Sequence, residues 1–259
     1  MSLRDKTAIV GVGCCKFGEN WDRSEEDMIV DAVYEAYADA GIDDPNKQID
    51  AIYCGSLYSK NGPVEVSEAL KLYKPLTGVL NYCATGTEAV RAAAMSIAAG
   101  VYETVLVVGY DKPKDRGVSG PSVNIRDVRN LPATPAGWFA VCAQPYFDKY
   151  GASREHLARI AVKNHANAQA NPLAQMRRDV SFEFCNTPSD KNPVIAPPLR
   201  LTDCSLISDG AAALVMVAGD RGGFECAAGF RAACQVNDFL PMSRRDMTRL
   251  AGAARAFEM

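Results

Sequence analysis

Apolar residues in the first 110 positions follow two different spacings. The segments 6–12, 49–54 and 104–109 are short apolar runs rich in β-branched residues, which is typical of strands buried in a sheet. The segments 24–41 and 85–99 instead place apolar residues three and four positions apart, as one face of a helix does. Strands that alternate with helices predict an α/β fold.

The ends of the predicted elements carry their own signals. Ser24 suits an N-cap and is followed by acidic residues, and Gly41 suits the C-terminal stop of the same helix. A proline at a first helical position predicts another helix over 63–73, and residues 76–82 then resemble a further strand.

The order of elements changes after position 110. Proline and glycine recur in the sequence up to Leu206, and this segment contains one clear amphipathic helix, capped by Ser153. We therefore predict that the segment is a long excursion that leaves the sheet and passes over it. Residues 211–217 return as a buried strand, and another candidate strand follows near 227–236. The pattern therefore divides the chain into a layered part at 1–110, an excursion at 111–205, returning strands at 206–242 and the start of a helix at 243–259.

Charge and cysteine usage narrow the class of protein. Lysine and arginine number 28 and aspartate and glutamate 31, with no long run of either sign, so we expect no nucleic-acid ligand. No apolar stretch approaches a membrane span or a signal peptide, which predicts a cytoplasmic protein. The nine cysteines show no repeating pairs and no C-x-x-C, and His156 and His165 are too far apart to share a helix face. We expect neither a disulfide framework nor a bound metal ion.

Cys83 is the candidate nucleophile. It lies between a predicted strand and an alanine-rich helix, in Asn-Tyr-Cys-Ala-Thr-Gly-Thr-Glu-Ala, so its sulfur is expected near a helix N-terminus. Backbone N–H groups and the helix dipole favour a thiolate there and can donate to a developing oxyanion. The alternative is a buried structural cysteine, as most free cysteines are.

The segment 81–93 resembles the nucleophile segment of the thiolase superfamily, especially the sterol-carrier-protein-X type of thiolase and its bacterial and archaeal relatives, the acetyl-CoA acetyltransferase-like proteins. Further motifs are similar to those of that group and follow in the same order. They are Gly11-Val12-Gly13 with Lys16-Phe17-Gly18, Ala161-Val162-Lys163-Asn164-His165 with Asn171-Pro172, Leu201-Thr202-Asp203-Cys204-Ser205, and Ser208-Asp209-Gly210-Ala211-Ala212-Ala213. Together they form a specific match over nearly the whole chain.

The resemblance implies the layered αβαβα fold of thiolases, built from two related βαβ-rich halves, and a homodimer formed across the third strand. In these terms 1–110 is the N-terminal half with the nucleophile segment, 111–205 is a loop domain over the active site, 206–242 holds return strands, and 243–259 begins a helix leading to the second half. We expect that second half to be incomplete or absent in this chain. Either the sequence is part of a longer protein or the second half is a separate chain.

The resemblance also implies the chemistry. Cys83 would accept the acyl group of a coenzyme A thioester, in thiolytic cleavage or Claisen condensation, with no covalently bound cofactor. Arg177 and Arg178 would face the CoA phosphates, or else form a solvated surface pair. The family's activating histidine, its second cysteine and an asparagine- or histidine-bearing loop belong to the second half, and His156 and His165 match none of these motifs.

Three functions stay open. The first is an acyl-CoA C-acyltransferase of lipid metabolism. The second is a carbon–carbon lyase, a retro-aldolase acting on steroid side-chain CoA thioesters together with an OB-fold, zinc-ribbon partner. The third is a non-catalytic subunit that binds acyl-CoA.

Two motifs have structural interpretations. Gly11-x-Gly13 follows a strand but lacks the third glycine of the dinucleotide fingerprint, since residue 16 is a lysine. Ser208-Asp209-Gly210 precedes an apolar strand, where a tight turn is needed. We expect both motifs to serve the fold.

Overall fold

The computed structural model describes residues 3–59, 61–117, 134–219, 228–238 and 244–259. The chain divides into two compact units, Met1–Gly117 with Ser208–Gln235 and Met259, and Val118–Ile207 with Val236–Glu258. The first unit contains β1 Thr7–Cys14, α1 Glu25–Ala40, α2 Pro45–Gln48, β2 Ala51–Gly55, α3 Val64–Leu70, β3 Leu76–Val79, α4 Thr85–Ala98, β4 Thr104–Asp111, β7 Gly210–Ala218 and β8 Ala228–Gly229. The second contains α5 Pro135–Tyr150, α6 Arg154–Gln169, α7 Phe182–Asn186, β5 Val194–Ala196, β6 Leu199–Arg200 and α8 Ala251–Glu258.

The strands of the first unit form one mixed sheet in the order β3-β2-β4-β7-β1-β8. β2 pairs in parallel with β3 and β4, whereas β7 runs antiparallel to β4 and β1. The carboxyl ends of β2, β3 and β4 therefore meet at one edge of the sheet, where ligand sites of parallel sheets lie.

Helices cover both faces of this sheet. Along β4, Leu106 and Val108 belong to the core that α1 contributes to, while Val105 and Val107 belong to the core that contains α4. A strand buried on both faces needs apolar residues at successive positions, and the four residues 105–108 of β4 have this property.

Helix α1 packs so closely on β1 that the strand needs two glycines. A Cβ on Gly11 would lie 2.4 Å from the carbonyl oxygen of Ala36, and one on Gly13 would lie 2.0 Å from that of Ala32. The Gly-x-Gly motif thus makes room for a helix backbone, in keeping with the structural interpretation.

The ends of the helices follow the sequence closely, with one difference. α1 begins at the expected N-cap, Ser24, which forms a capping box with Asp27, and it ends at the left-handed Gly41. α3 is shorter than the predicted helix over 63–73, because Pro63 precedes its first turn and Lys71 takes a left-handed conformation that ends it at Leu70.

Three other predicted elements differ in extent. The strand predicted over 76–82 ends at Val79 as β3, before the turn that contains Tyr82. The candidate strand near 227–236 is reduced to the two residues of β8, which pair with Ala8 and Ile9 of β1. The final helix begins at Ala251, eight positions after the predicted start. Residues 227 and 243 themselves lie outside the described residues.

The second unit has its own core. Ala158 and Ala161 of the predicted helix α6 pack against Val180 and Cys185. The Arg154 guanidinium lies 3.0 Å from a carboxylate oxygen of Asp203. The sequence analysis did not anticipate α5, which is capped by Thr134 and continues through an internal proline.

Candidate active site

Cys83 lies in a short strained turn between β3 and α4. The turn is a single 3₁₀ turn, Tyr82–Ala84, in which Tyr82 adopts a left-handed backbone with a φ of 47°. A non-glycine residue costs roughly 1–3 kcal/mol in that region, and such strain concentrates at functional sites. The side chain of Cys83 is exposed, which does not fit the alternative of a buried structural cysteine.

The start of α4 has no side-chain cap. Its N-cap is Ala84, whereas α1 begins with Ser24, which accepts a hydrogen bond from a first-turn N–H group. The first N–H groups of a helix have no intrahelical acceptor. In α4 the Thr85 N–H donates instead to the Tyr82 carbonyl oxygen of the preceding turn, so the N–H groups that follow Thr85 are the ones that can bind an anion near Cys83. Thr85 closes the turn, because its Oγ1 accepts from the Asn81 N–H at 2.8 Å.

The segment after β2 flanks this turn, and we call residues 56–63 the 56–63 loop. A Cβ on Gly55, just before the loop, would lie 2.6 Å from Cγ2 of Thr85. At the other end, a Cβ on Gly78 would lie 2.9 Å from Cγ of Pro63. The loop, of which Lys60 is not described, thus packs against the segment that carries Cys83. A cavity of about 280 Å³ is lined by Cys54, Ser56, Gly62, Pro63, Gly78, Val79 and Leu80.

Asp111, the last residue of β4, holds the start of the 56–63 loop. Its carboxylate accepts hydrogen bonds from the Ser56 hydroxyl at 2.6 Å, the Leu57 N–H at 3.0 Å and the Tyr58 N–H at 2.8 Å. The sequence analysis did not single out Asp111. The available signal was a carboxylate at the end of a buried strand, at the edge where parallel strands end.

Tyr58 lies within electrostatic reach of Cys83. Burial, then the charge of Asp111 and then that of Cys83 raise the pKa of the Tyr58 phenol. A phenol with a raised pKa stays protonated at neutral pH and can donate a hydrogen bond. The sequence analysis did not single out Tyr58.

Two glutamates share a partly buried site at the far end of the loop. Oε2 of Glu65 accepts from the Ser59 hydroxyl at 2.6 Å and from the Tyr110 hydroxyl at 2.9 Å. Burial, followed by the hydrogen bond to Glu65 and its charge, raises the pKa of Glu25 to about 7, although Arg116 at 3.5 Å opposes this shift. The pair therefore holds a proton into the neutral range.

The thiol of Cys54, in β2, differs from that of Cys83 because it is buried. Burial and the charges of Asp111 and Glu65 raise the pKa of Cys54 to about 12, so this thiol stays neutral. Among the cysteines that the structure describes, Cys83 and Cys234 are exposed.

Asp209, from the Ser-Asp-Gly motif, is fully buried and serves the fold. Its carboxylate accepts from the N–H groups of Asn20 at 3.1 Å and Lys114 at 2.9 Å. These bonds connect the residue before β7 to the segments that contain Asn20 and Lys114, which are distant in sequence. This agrees with the structural interpretation of the motif.

Arg177 and Arg178 lie on the surface of the second unit. Arg177 donates to the carbonyl oxygen of Gln169 at 2.9 Å, and the Arg178 guanidinium lies 5.7 Å from the centre of the Phe184 ring. Both side chains are exposed, so they are open to an anionic ligand. Their role in CoA binding stays a prediction.

The two histidines have structural partners within the second unit. Nδ1 of His156 accepts from the Ser153 N–H at 3.0 Å and caps α6. Nδ1 of His165 lies 3.0 Å from the carbonyl oxygen of Arg178. Neither geometry indicates a base for Cys83.

The described ranges contain neither a cluster of metal ligands nor a helix that could span a membrane. No group of three or more His, Cys, Asp or Glu side chains within these ranges could hold a metal ion. No helix in the described part of the chain has the length and apolar character needed to cross a membrane.

Comparison with known proteins gives a consistent assignment. The family described as Thiolase, N-terminal domain, matches residues 7–220. The acetyl-CoA acetyltransferase of Methanothermobacter thermautotrophicus is 34% identical, over 99% of this chain and 70% of its own length. Sterol carrier protein 2 of Bos taurus is 30% identical, over 83% of this chain and 42% of its own length. The solved structure of the Ltp2-ChsH2(DUF35) aldolase has a TM-score of 0.71 and 28% identity, covering 84% of this chain and 57% of that chain.

These matches confirm the predicted resemblance and the thiolase-like α/β fold. The chain spans 42% of the sterol carrier protein and 57% of the aldolase chain, so it corresponds to a part of a whole thiolase. The family match covers most of the chain and includes the Cys83 turn, the layered sheet and the returning strand β7. The chain therefore belongs to the thiolase superfamily, through the thiolase N-terminal domain.

Proposed function

We propose that this chain supplies the acyl-accepting cysteine of a thiolase-like acyl-CoA C-acyltransferase. The observation that carries the proposal is the exposed Cys83 in a strained turn at the uncapped start of α4. Similarity to the acetyl-CoA acetyltransferase of Methanothermobacter supports the same class of enzyme.

In the proposed reaction the Cys83 thiolate attacks the carbonyl carbon of an acyl-CoA thioester. The carbonyl oxygen becomes an oxyanion, which N–H groups at the start of α4 can stabilise. The bond to the CoA sulfur then breaks, CoA leaves as a thiol after taking up a proton, and the acyl group stays on Cys83. The acyl group next passes to a CoA thiol in cleavage or to a carbanion in condensation.

The base that activates Cys83 belongs, in this proposal, to the second half of the family's fold. His156 and His165 are poor candidates because each ring has a structural partner in the second unit. Coenzyme A acts as substrate, and the proposal requires neither a resident cofactor nor a metal ion.

Arg177 and Arg178 are proposed to bind the phosphates of CoA. Arginine suits phosphate because its planar guanidinium can donate two parallel hydrogen bonds. Replacing both with alanine should weaken CoA binding, measured by calorimetry, by about tenfold or more. Lys47→Ala, which removes another highly exposed cation, is the matched control. Equal binding by the double variant and the control would contradict the assignment.

Assembly and location are proposed from the family. We propose a cytoplasmic homodimer formed across β3, and an OB-fold, zinc-ribbon protein as its partner. The Ltp2 aldolase, whose solved structure names ChsH2(DUF35) beside it, supports the idea of a partner protein.

Acylation of Cys83 tests the main proposal directly. The purified protein, with any co-purifying chain retained, is incubated with short, long and steroid-like acyl-CoA thioesters and analysed by intact and peptide mass spectrometry. We expect an acyl mass on the Cys83 peptide that is lost in Cys83→Ala and kept in Cys234→Ala, the exposed-thiol control.

The lyase function is the second candidate, favoured by the 28% identity to the Ltp2 aldolase. It predicts that no thioester labels Cys83 while the protein still cleaves a β-hydroxyacyl-CoA. Binding of CoA without labelling or turnover would instead indicate a non-catalytic subunit.

A further inference from the structure

We propose that Glu35 and Asp39 of α1 close one edge of the sheet to pairing with another chain. Their carboxylates accept the backbone N–H groups of β1 that an added strand needs, so this edge is blocked to a strand from a second copy of the chain. This role of the two side chains does not depend on the role proposed for Cys83.

The N–H groups of Val12 and Cys14 in β1 face away from β7. Successive N–H groups along a strand point to opposite edges, and the next one, that of Cys15, donates to the carbonyl oxygen of Ala211 in β7 at 3.1 Å. On the outer side, β8 pairs with two residues in the first half of β1, and among the described residues this pairing ends there. Open N–H groups on an outer strand are a template for pairing with another chain.

A β-bulge marks the point where the partner of β1 changes. The register between β1 and β7 shifts between Ile9 and Gly11, which changes the set of β1 residues that face the outer edge. Before the bulge, the Thr7 carbonyl oxygen accepts from the Phe230 N–H, next to β8, at 3.3 Å. After the bulge, the outward N–H groups bond to α1, so two different partners occupy the two parts of the edge.

Two carboxylates of α1 accept these outward N–H groups. Oδ2 of Asp39 accepts from the Val12 N–H at 2.9 Å. Oε2 of Glu35 accepts from the Cys14 N–H at 2.7 Å. The spacings match, because residues four apart in a helix rise by about 6 Å and residues two apart in a strand by about 6.6 Å. Hydrogen bonds to an ionised acceptor are stronger than neutral ones, and an added strand has to displace both.

The glycines of β1 bring α1 close enough for these bonds. A Cβ on Gly13 would lie 3.0 Å from Cβ of Glu35. A Cβ on Gly11 would lie 2.6 Å from Cβ of Ala40, the residue after Asp39. The Gly-x-Gly motif therefore lets the carboxylates of α1 reach the strand edge.

Hydrogen exchange at single backbone amides tests the bonds. The full chain, with any co-purifying chain retained, is followed by mass spectrometry with fragmentation that resolves residues 12 and 14. In Asp39→Ala we expect exchange at the Val12 amide to rise by about tenfold or more, and exchange at Cys14 to stay close to its wild-type rate. In Glu35→Ala we expect the reverse. Asp39→Asn and Glu35→Gln are the matched controls, because each loses the same charge but keeps an oxygen that accepts, and each should change exchange by less.

Self-association tests the consequence of closing the edge. Glu35→Ala with Asp39→Ala is compared with Glu35→Gln with Asp39→Asn by light scattering over a concentration series, both in a Thr77→Lys background. Thr77→Lys places a charge on β3, the outer strand at the other edge of the described sheet, so that pairing across β3 does not contribute. We expect larger assemblies from the alanine variant and not from the amide variant. If the alanine pair does not fold, as judged by thermal unfolding, Asp39→Ala alone should still form them at high concentration.

Two results would overturn the proposal. Equal exchange in the alanine and amide variants would show that the carboxylates do not hold the edge. Faster exchange without larger assemblies would show that they hold it but do not block association. Since neither measurement involves acyl-CoA or Cys83, a failure of acyl transfer in the wild type would count against the proposed function alone.

Discussion

Glu25 and Glu65 face each other at a partly buried site, where two negative charges are costly. The folded protein therefore keeps a proton on Glu25 up to about pH 7, whereas an ordinary glutamate releases it near 4.5. Because the folded state binds this proton more tightly than the unfolded state, the stabilisation is fully present below about pH 4.5 and is lost as the pH rises through 7.

Replacing Glu25 with glutamine should remove this pH dependence. We expect the wild-type free energy of unfolding to fall by about 1–3 kcal/mol between pH 5 and pH 8, and that of Glu25→Gln to fall by less. Urea unfolding at the two pH values measures the difference. Glu26→Gln, at the neighbouring exposed position in the same helical turn, should keep the wild-type slope. Equal slopes in the two variants would refute the role given to the glutamate pair.

At the scale of single elements, the start of α4 is where charge should matter most for Cys83. An aspartate at Ala84 places a negative charge beside the thiol and occupies the N–H groups of the first turn. We predict that Ala84→Asp slows alkylation of Cys83 at pH 7 by about three- to fivefold relative to Ala84→Asn, which has nearly the same shape without the charge. Similar rates in the two variants would show that the helix N-terminus does not favour the thiolate.

The contact between α1 and β1 gives a second prediction for an element. Gly13→Ala should destabilise the protein by about 1–3 kcal/mol, because the added methyl group would meet the backbone of α1. Gly18→Ala is the control, since nothing lies within 4 Å of a Cβ built there. Chemical denaturation of both variants measures the difference, and equal stabilities would disprove the packing role of the motif.

Elements with strong local signals could be predicted from the sequence. Helices α1 and α4 have helical spacing and recognisable ends, and β4 is an apolar run of the right length. The helix α5 was missed because proline and aromatic residues mask its spacing, although Thr134 and Pro135 form a good N-terminal signal. The prediction for β8 is too long, because apolar composition does not show how many of its residues pair with the neighbouring strand β1.

At the scale of the whole molecule, the fold and the position of Cys83 at the start of α4 could be predicted, but the hydrogen bonds that hold the 56–63 loop could not. Motifs and helix-start chemistry are local in sequence. In contrast, Ser56 and Asp111 are 55 positions apart, and Tyr110 and Glu65 are 45 apart. Such pairs form only when the order of the strands in the sheet is set, which a single sequence does not specify.

The edge of the described sheet carries the last prediction. β3 is an outer strand there, Thr77 and Gly78 are exposed, and the neighbouring side chains of Tyr73 and Leu80 are 69% and 68% exposed. An uncovered edge flanked by large apolar side chains favours pairing with another chain, which is what the proposed homodimer supplies. A lysine in such a strand opposes edge-to-edge pairing, so Thr77→Lys should convert the dimer into a monomer. Light scattering after size-exclusion chromatography measures the molar mass of both proteins. Tyr34→Lys, at an exposed position on α1, should leave the dimer intact. A monomeric wild type would refute the proposed homodimer, and a dimer that survives Thr77→Lys would place its interface elsewhere than at β3.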